Sequence, residues 1–330
     1  MRKHNRAELR ALLKQVIKVL VWSLVKHKQG SKKNILLFAN RRGGSTWITQ
    51  IIGATRGMTF IDHGLSIHNV SKYVSGFVPK VDDGHIRTLN PDIRNQLKTY
   101  FDEVFNHDLR VNSPWKFWEK TFNFQTDRIV MKITAAKSVI DFCDKEFNCQ
   151  IIYFTRHPVA CATASLRNNW GHHLKGYLEN DHFLNAHLSE SEISFAKSIY
   201  QSGSEIEKHT LNWVLENKAA LDLLPKRNHW FHLTYEELVV DTNQQLIKLA
   251  EFLEIKDPKP MLHQAGVPSR STRGLSQKGT SDLIIQGEKE KVIGRWKQGL
   301  SPNDLAVTQK ILDDFNIQLY SVNELMPIKL

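Results

Sequence analysis

Ile35-Leu-Leu-Phe-Ala-Asn-Arg-Arg-Gly-Gly-Ser-Thr-Trp47 is the stretch on which the fold turns. Ile35 to Ala39 form an unbroken apolar run, the pattern of a strand buried on both faces rather than on one. The run enters a turn with two arginines, two glycines and two hydroxyls, and Thr46–Ala54 then reads as a helix. Strand, glycine turn and helix start, in that order, suit an anion. Glycines let the backbone come close, and the first N–H groups of the helix point at the ligand. Ser45 and Thr46 add hydroxyl donors, and an arginine adds charge. The pattern Gly-x-x-x-x-Gly-Lys-Ser/Thr is absent, so this is not a Walker A loop, and an ATPase would need a Lys after the second glycine. A plain Gly-Gly turn capped by Ser45 remains the structural alternative.

Working outward, Met58–Asp62, Ile129–Ile133, Ile151–Thr155 and Trp230–Thr234 also read as strands. Helical stretches at Lys137–Glu146, Val159–Asn168 and Gln244–Phe252 alternate with them. That order predicts an α/β, three-layer sandwich with a central, mostly parallel sheet, P-loop-like in architecture. Leu65–Trp118 is polar with scattered aromatics and reads as a helical insertion. Gly266–Gly287, rich in Ser, Thr, Gly and Arg, reads as a mobile functional loop. No internal repeat is present.

A second anion signal follows about a hundred residues later, in Cys149-Gln-Ile-Ile-Tyr-Phe-Thr-Arg-His-Pro-Val-Ala160. The strand ends at Arg156, at the carboxyl edge where open α/β sheets bind ligands, and Pro158 suits a first helical turn.

These two segments together resemble sulfotransferases that use 3′-phosphoadenosine 5′-phosphosulfate (PAPS). Arg42-Gly-Gly-Ser-Thr-Trp47 matches the family's 5′-phosphosulfate loop, with Gly43 in place of a Ser, and Arg156-His-Pro158 matches the start of its 3′-phosphate segment. Trp213, Tyr235-Glu-Glu-Leu238, Phe252-Leu-Glu-Ile255 and Gly294-Arg-Trp-Lys297 follow in the family's order. The resemblance spans roughly Asn34 to Tyr320. It implies that PAPS is the donor, that no metal is needed, and that a hydroxyl or amine is the acceptor; a basic arm near a membrane would favour a glycan or lipid-linked glycan.

By the same resemblance, Arg42, Gly43, Gly44, Ser45, Thr46, Trp47, Arg156 and Tyr235 hold the donor, and Arg42 and Lys132 neutralise the leaving phosphate. The chain departs from the family at three places. The family's phosphate-binding Ser falls at Ala164, leaving Ser165 as first choice and Thr163 as rival. Lys132-Ile-Thr134 has Thr where cytosolic members carry their catalytic His, so the base must come from elsewhere. His63 is the first candidate, since a near-neutral pKa suits proton transfer, with Asp62 second and His68 and His85 behind. Lys289 and Lys291 stand only loosely where cytosolic members carry Arg-Lys-Gly, which leaves the second grip on the 3′-phosphate unassigned.

Composition bounds the rest. The chain has 330 residues, 41% hydrophobic and 24% charged, which excludes a disordered or fibrous protein. Three cysteines without metal-ligand spacing exclude a disulfide scaffold and fit a reducing compartment. His172, His173, His182 and His187 match no common zinc spacing, and Asn69 opens a chance glycosylation sequon. The net charge is +11, yet residues 1–33 alone hold ten basic side chains and one acid, so the remaining 297 carry only +2. The basicity therefore belongs to an arm and gives no reason to expect nucleic acid.

Residues 7–26 of that arm read as an amphipathic helix, with Leu9, Leu12, Leu13, Val16, Leu20 and Leu24 on one face and Arg10, Lys14 and Lys18 on another. Its longest uncharged stretch, Val19–Val25, is far short of a membrane span. It also lacks a small-residue cleavage site. It suits either peripheral contact with anionic lipid or packing on protein. The division expected is 1–33 as the arm and 34–330 as the catalytic domain, in a cytoplasmic protein with the arm as its potential membrane contact. Two rival functions stay open: a P-loop-like nucleotide kinase, and a non-catalytic basic membrane-associated binding protein.

Overall fold

The computed structural model describes residues 12–328 apart from 14–15, 18–19, 22, 31, 66–75, 81–83, 110, 112–121, 268, 270–282 and 284–286. A short strand β1 (Lys26–His27) precedes the central β2 (Asn34–Ala39), helix α1 (Ser45–Gly53) and β3 (Met58–Ile61). Helix α2 (Pro91–Phe105) leads to β4 (Gln125–Thr126), β5 (Arg128–Ile133), α3 (Ile140–Glu146), β6 (Cys149–Thr155) and α4 (Pro158–Leu166). Helices α5 (Leu174–Leu178), α6 (Asp181–His187), α7 (Glu190–Ser202) and α8 (Glu205–Leu223) follow. The described chain closes with β7 (Phe231–Thr234), α9 (Tyr235–Val240), α10 (Thr242–Phe252), α11 (Lys259–Ala265), α12 (Lys289–Gly294) and α13 (Pro302–Asp314).

The main sheet runs β3-β5-β2-β6-β7, and every pairing in it is parallel. Alternate residues of β2 explain why it lies at the centre. Leu36 and Phe38 join the core under α2 and α3, while Ile35, Leu37 and Ala39 join the core under α1, α10 and α11. Each of these five is fully buried. Burying the four larger ones contributes about 1.5–3 kcal/mol apiece. Helices thus cover both faces, as the alternation of strands and helices predicts. A third cluster fills the space between α4–α8 and α13.

Local chemistry sets the helix ends. In α8, Ser204 accepts the Glu207 N–H while Glu207 returns a bond to the Ser204 N–H, and Thr234 with Glu237 does the same for α9. Helix α2, inside the polar insertion, starts from Asn90 with Pro91 in its first turn. Most of Gly266–Gly287, and much of Leu65–Trp118 with His68 and Asn69, lie outside the described residues.

The end of the arm is latched to the body. Strands β1 and β4 pair in parallel, with Lys26 N–H donating to Phe124 O at 2.8 Å and Lys28 N–H to Thr126 O at 2.7 Å. His27 stacks on His107, and Lys32 meets Asp127 at 2.9 Å. Leu12, Leu13, Val16, Leu20 and Leu24 are helical and exposed, whereas Val21 and Val25 are buried. Leu9, Arg10, Lys14 and Lys18 lie outside the described residues. Among the described residues, no helix is long and apolar enough to cross a membrane.

Candidate active site

All five strands of the main sheet run the same way, so their carboxyl ends share one edge. That edge collects His63 after β3, Lys132 and Thr134 at β5, the 40–44 loop after β2, Arg156 after β6 and Tyr235 after β7. Crossing from β5 to β6 passes over β2, which places the loop at the switch point of the sheet.

The loop is held from below. Asn40 is buried and donates to Asn217 Oδ1 at 3.1 Å, an oxygen that also accepts Tyr153 OH at 2.9 Å. Gly43 N–H closes a turn on Asn40 O at 3.1 Å, and a Cβ on Gly43 would stand 2.8 Å from Asn40 Cβ. Gly44 caps α1 at φ 86°, and a Cβ there would meet the Tyr235 ring at 2.7 Å. Glycine is therefore required at 44 twice over, by conformation and by space. Arg42, just before, takes φ 57° without that freedom. Non-glycine residues in the left-handed region cost energy and gather at functional sites.

Arg156 joins the two phosphate segments directly. Its guanidinium donates to Arg42 O at 3.1 Å and lies over the Tyr235 ring at 4.2 Å. The Nε atoms of both Arg42 and Arg156 are buried without a hydrogen-bond acceptor. Two arginines this close and short of acceptors fit an anion that would complete them. Burial first, then the Arg156 charge, lowers the Arg42 pKa. Trp47 is nearly buried, its indole N–H donates to Ala265 O at 3.2 Å, and its ring meets Tyr235 edge-on at 5.8 Å. Ser45 is buried and Thr46 half-buried at the helix start.

On helix α4, Thr163 is buried and its hydroxyl bonds back to Val159 O at 2.9 Å. Ser165 is half-buried, bonds to Cys161 O at 2.9 Å, and lines a polar cavity with Arg41, Trp170 and His209. Of the two, Ser165 is the one that opens toward the loop.

Two cations near Arg156 escape a reading of the sequence, Arg167 and Arg295. The charges of Arg295 and Arg156 both act on Arg167, whose pKa is lowered first by burial and then by them. Fully buried His157 organises this corner. It stacks on Trp296 at 4.2 Å and meets Ser321 O at 3.0 Å, and the 295–297 turn packs against α4, the helix that follows Arg156. Burial drives the His157 pKa down to about 3, so the ring stays neutral. Lys289 and Lys291 point elsewhere, Lys289 to Val240 O at 2.8 Å and Lys291 to Glu288 at 2.7 Å. Only the landmark Gly294-Arg-Trp-Lys297 hinted at Arg295, and nothing in the local text marked Arg167. Beside them, the fully buried Glu236 accepts the His157 N–H at 3.0 Å, and burial raises its pKa to about 7.

The other side of the loop has a different character. Lys132 is buried, and its ammonium meets Asp62 at 2.5 Å. His63, also at φ 57°, contacts Thr134 Oγ1 through Nδ1 at 3.1 Å, and its Nε2 stands 3.6 Å from Asp62. Burial first, then the Lys132 charge, lowers the His63 pKa, so the ring is neutral at pH 7. A neutral imidazole next to a carboxylate can take a proton and be stabilised once charged. Behind it, Lys137 bridges Thr134 O at 3.3 Å and Glu216 at 2.9 Å. Burial opposes the Glu216 charge, but Lys137, His85 and Arg41 outweigh it and hold the carboxyl well below its usual range. Arg41 and Arg42 both lie over the Trp170 ring, at 4.9 and 5.1 Å. His85 stacks on His173 at 3.9 Å. Among the described residues, no group of three or more His, Cys, Asp or Glu could hold a metal ion.

The sulfotransferase domain family matches residues 32–321. No curated protein matches the chain. Solved structures similar to it include a sulfotransferase domain from the curacin biosynthetic pathway, 16% identical, covering 88% of this chain and 99% of that one at a TM-score of 0.47. The sulfotransferase domain of the Synechococcus PCC 7002 olefin synthase is 13% identical, covering 88% and 98% at 0.43. Mouse sulfotransferase SULT7A1 complexed with PAP is 14% identical, covering 90% and 89% at 0.39.

Proposed function

Because the chain belongs to the sulfotransferase family, we propose that it moves a sulfuryl group from PAPS to a hydroxyl or amine on a glycan or lipid-linked glycan. The observation that carries the donor is the direct contact of Arg156 with Arg42 O, with both Nε atoms short of acceptors. Two anionic groups held a short way apart are what a 3′,5′-bisphosphate offers.

In this reading the amides of Gly43 to Thr46 and the Arg42 guanidinium hold the 5′-phosphosulfate at the start of α1. Arg156 and Ser165 hold the 3′-phosphate, with Arg167 and Arg295 as the second grip. Tyr235 and Trp47 wall the nucleotide. Lys132 faces the bridging oxygen and meets the charge that grows on it as the S–O bond breaks. His63 takes the acceptor proton while the acceptor oxygen or nitrogen attacks sulfur in line, and Asp62 balances the imidazolium. The basic arm favours an acceptor presented at a membrane, hence the glycan or lipid-linked class.

The test is thermal stability with 3′-phosphoadenosine 5′-phosphate (PAP) or ATP–Mg²⁺, on the wild type and Arg156→Ala. Ligand at 100 times its Kd adds about 2.7 kcal/mol of stability. Stabilisation by PAP that is lost in Arg156→Ala is the expected result. Stabilisation by ATP–Mg²⁺ alone would replace the proposal with a nucleotide kinase.

A further inference from the structure

We infer that the arm docks on an anionic lipid surface through the face formed by Leu12, Leu13, Val16, Leu20 and Leu24. Two observations carry this beyond the sequence pattern. First, these five side chains are 49% to 63% exposed, so the protein's own body does not cover them. Val21 and Val25, four residues apart, are only 6% and 7% exposed and lie on a separate, covered face. The helix thus has two apolar faces, one spent on packing and one left open. Scattered exposed apolar residues need no explanation, but four leucines and a valine aligned on one helix face do.

Second, the charge selects the occupant. Residues 1–33 carry +9. A second copy on this face would bring +9 against +9, whereas an anionic bilayer offers the opposite sign. An apolar helix face with abundant Lys and Arg is the pattern of a helix lying in the lipid interface, and each basic residue near such a surface adds to the attraction. The latch of β1 on β4 makes the attachment stiff, because backbone hydrogen bonds and the Lys32–Asp127 pair fix the end of the arm to the body.

The experiment is co-sedimentation of the full chain with phosphatidylcholine vesicles, with and without phosphatidylserine, for the wild type and the double variant Leu13→Gln/Leu20→Gln. The wild type should bind only vesicles containing phosphatidylserine, and 1 M salt should release it, since the screening length there is about 3 Å. The double variant, unchanged in charge, should bind on the order of tenfold or more weakly. PAP binding and melting temperature should not move, because both leucines are exposed. Absence of vesicle binding by the wild type would overturn the proposal without touching the reading of the active site. So would equal binding by the double variant. A wild-type dimer in solution that the double variant abolishes would hand the face to a second copy instead. Should the variant melt early, the salt and lipid dependence of the wild type still decides.

Discussion

The two flanks of the phosphate loop are built on different principles. Toward β6 and β7, Arg156, Arg167 and Arg295 gather charge from three separate segments around a neutral, stacked His157. Toward β3 and β5, a buried Lys132 is already matched by Asp62, and His63, in contact with Thr134, is kept neutral by burial and then by the Lys132 charge. The first flank has an excess of cations and is suited to hold. The second has balanced charges and one free proton site and is suited to react. On the proposed reading, binding and chemistry in this fold should therefore be separable by mutation.

The strongest test of that division is His63→Ala. It should lower kcat by about 10²–10⁴-fold while leaving PAP binding intact, checked by steady-state kinetics and calorimetry. An equal loss in binding would collapse the distinction. Next is Arg156→Ala, which removes charge-assisted hydrogen bonds worth about 1.5–3 kcal/mol and should weaken PAP binding by about 10–150-fold. Arg295→Ala should follow with roughly tenfold weaker binding, and Lys289→Ala should change nothing, both read by the same titration.

The pH profile sharpens the reacting flank. The His63 pKa is depressed below its ordinary 6.5, so the neutral base persists at pH 6.5 and the rate should fall only as pH drops further. That acid limb should vanish from the residual activity of His63→Ala. The smallest effect belongs to Glu236. Its pKa rises from an ordinary 4.5 to about 7 on folding, so the stability it contributes at low pH is lost as pH climbs through 7. Glu236→Gln keeps the acceptor for the His157 N–H and should raise the melting temperature at pH 8.5 by about 2 °C, with little change at pH 5.

What could be read in advance divides along similar lines. The five strands of the main sheet are mostly short apolar runs, and each stands within two residues of its expected limits. The 40–47 loop is local, so its glycines and hydroxyls announce themselves in order. Strands β1 and β4 were unreadable, because two polar residues each have no pattern and only the pairing defines them. Arg167 and Arg295 meet across more than a hundred residues, and the meeting depends on Trp296 stacking on His157. Lys289 and Lys291 drew attention by position alone, and helix α12 turns both away. His63 was legible as a residue type, but its neutral state depends on burial and on Lys132, neither of which is local.

The latch between β1 and β4 also sets a height. Strand β4 runs into the start of β5, while Lys132 and Thr134 stand at the far end of β5. At about 3.3 Å per residue, that strand separates the root of the arm from the reacting edge by about 20 Å. On the proposal that the arm rests on lipid, the reacting edge would stand at a distance from the bilayer rather than at its surface. On the same proposal, the acceptor that would suit such a reach is a long one, with its reacting hydroxyl or amine several units above the lipid that carries it.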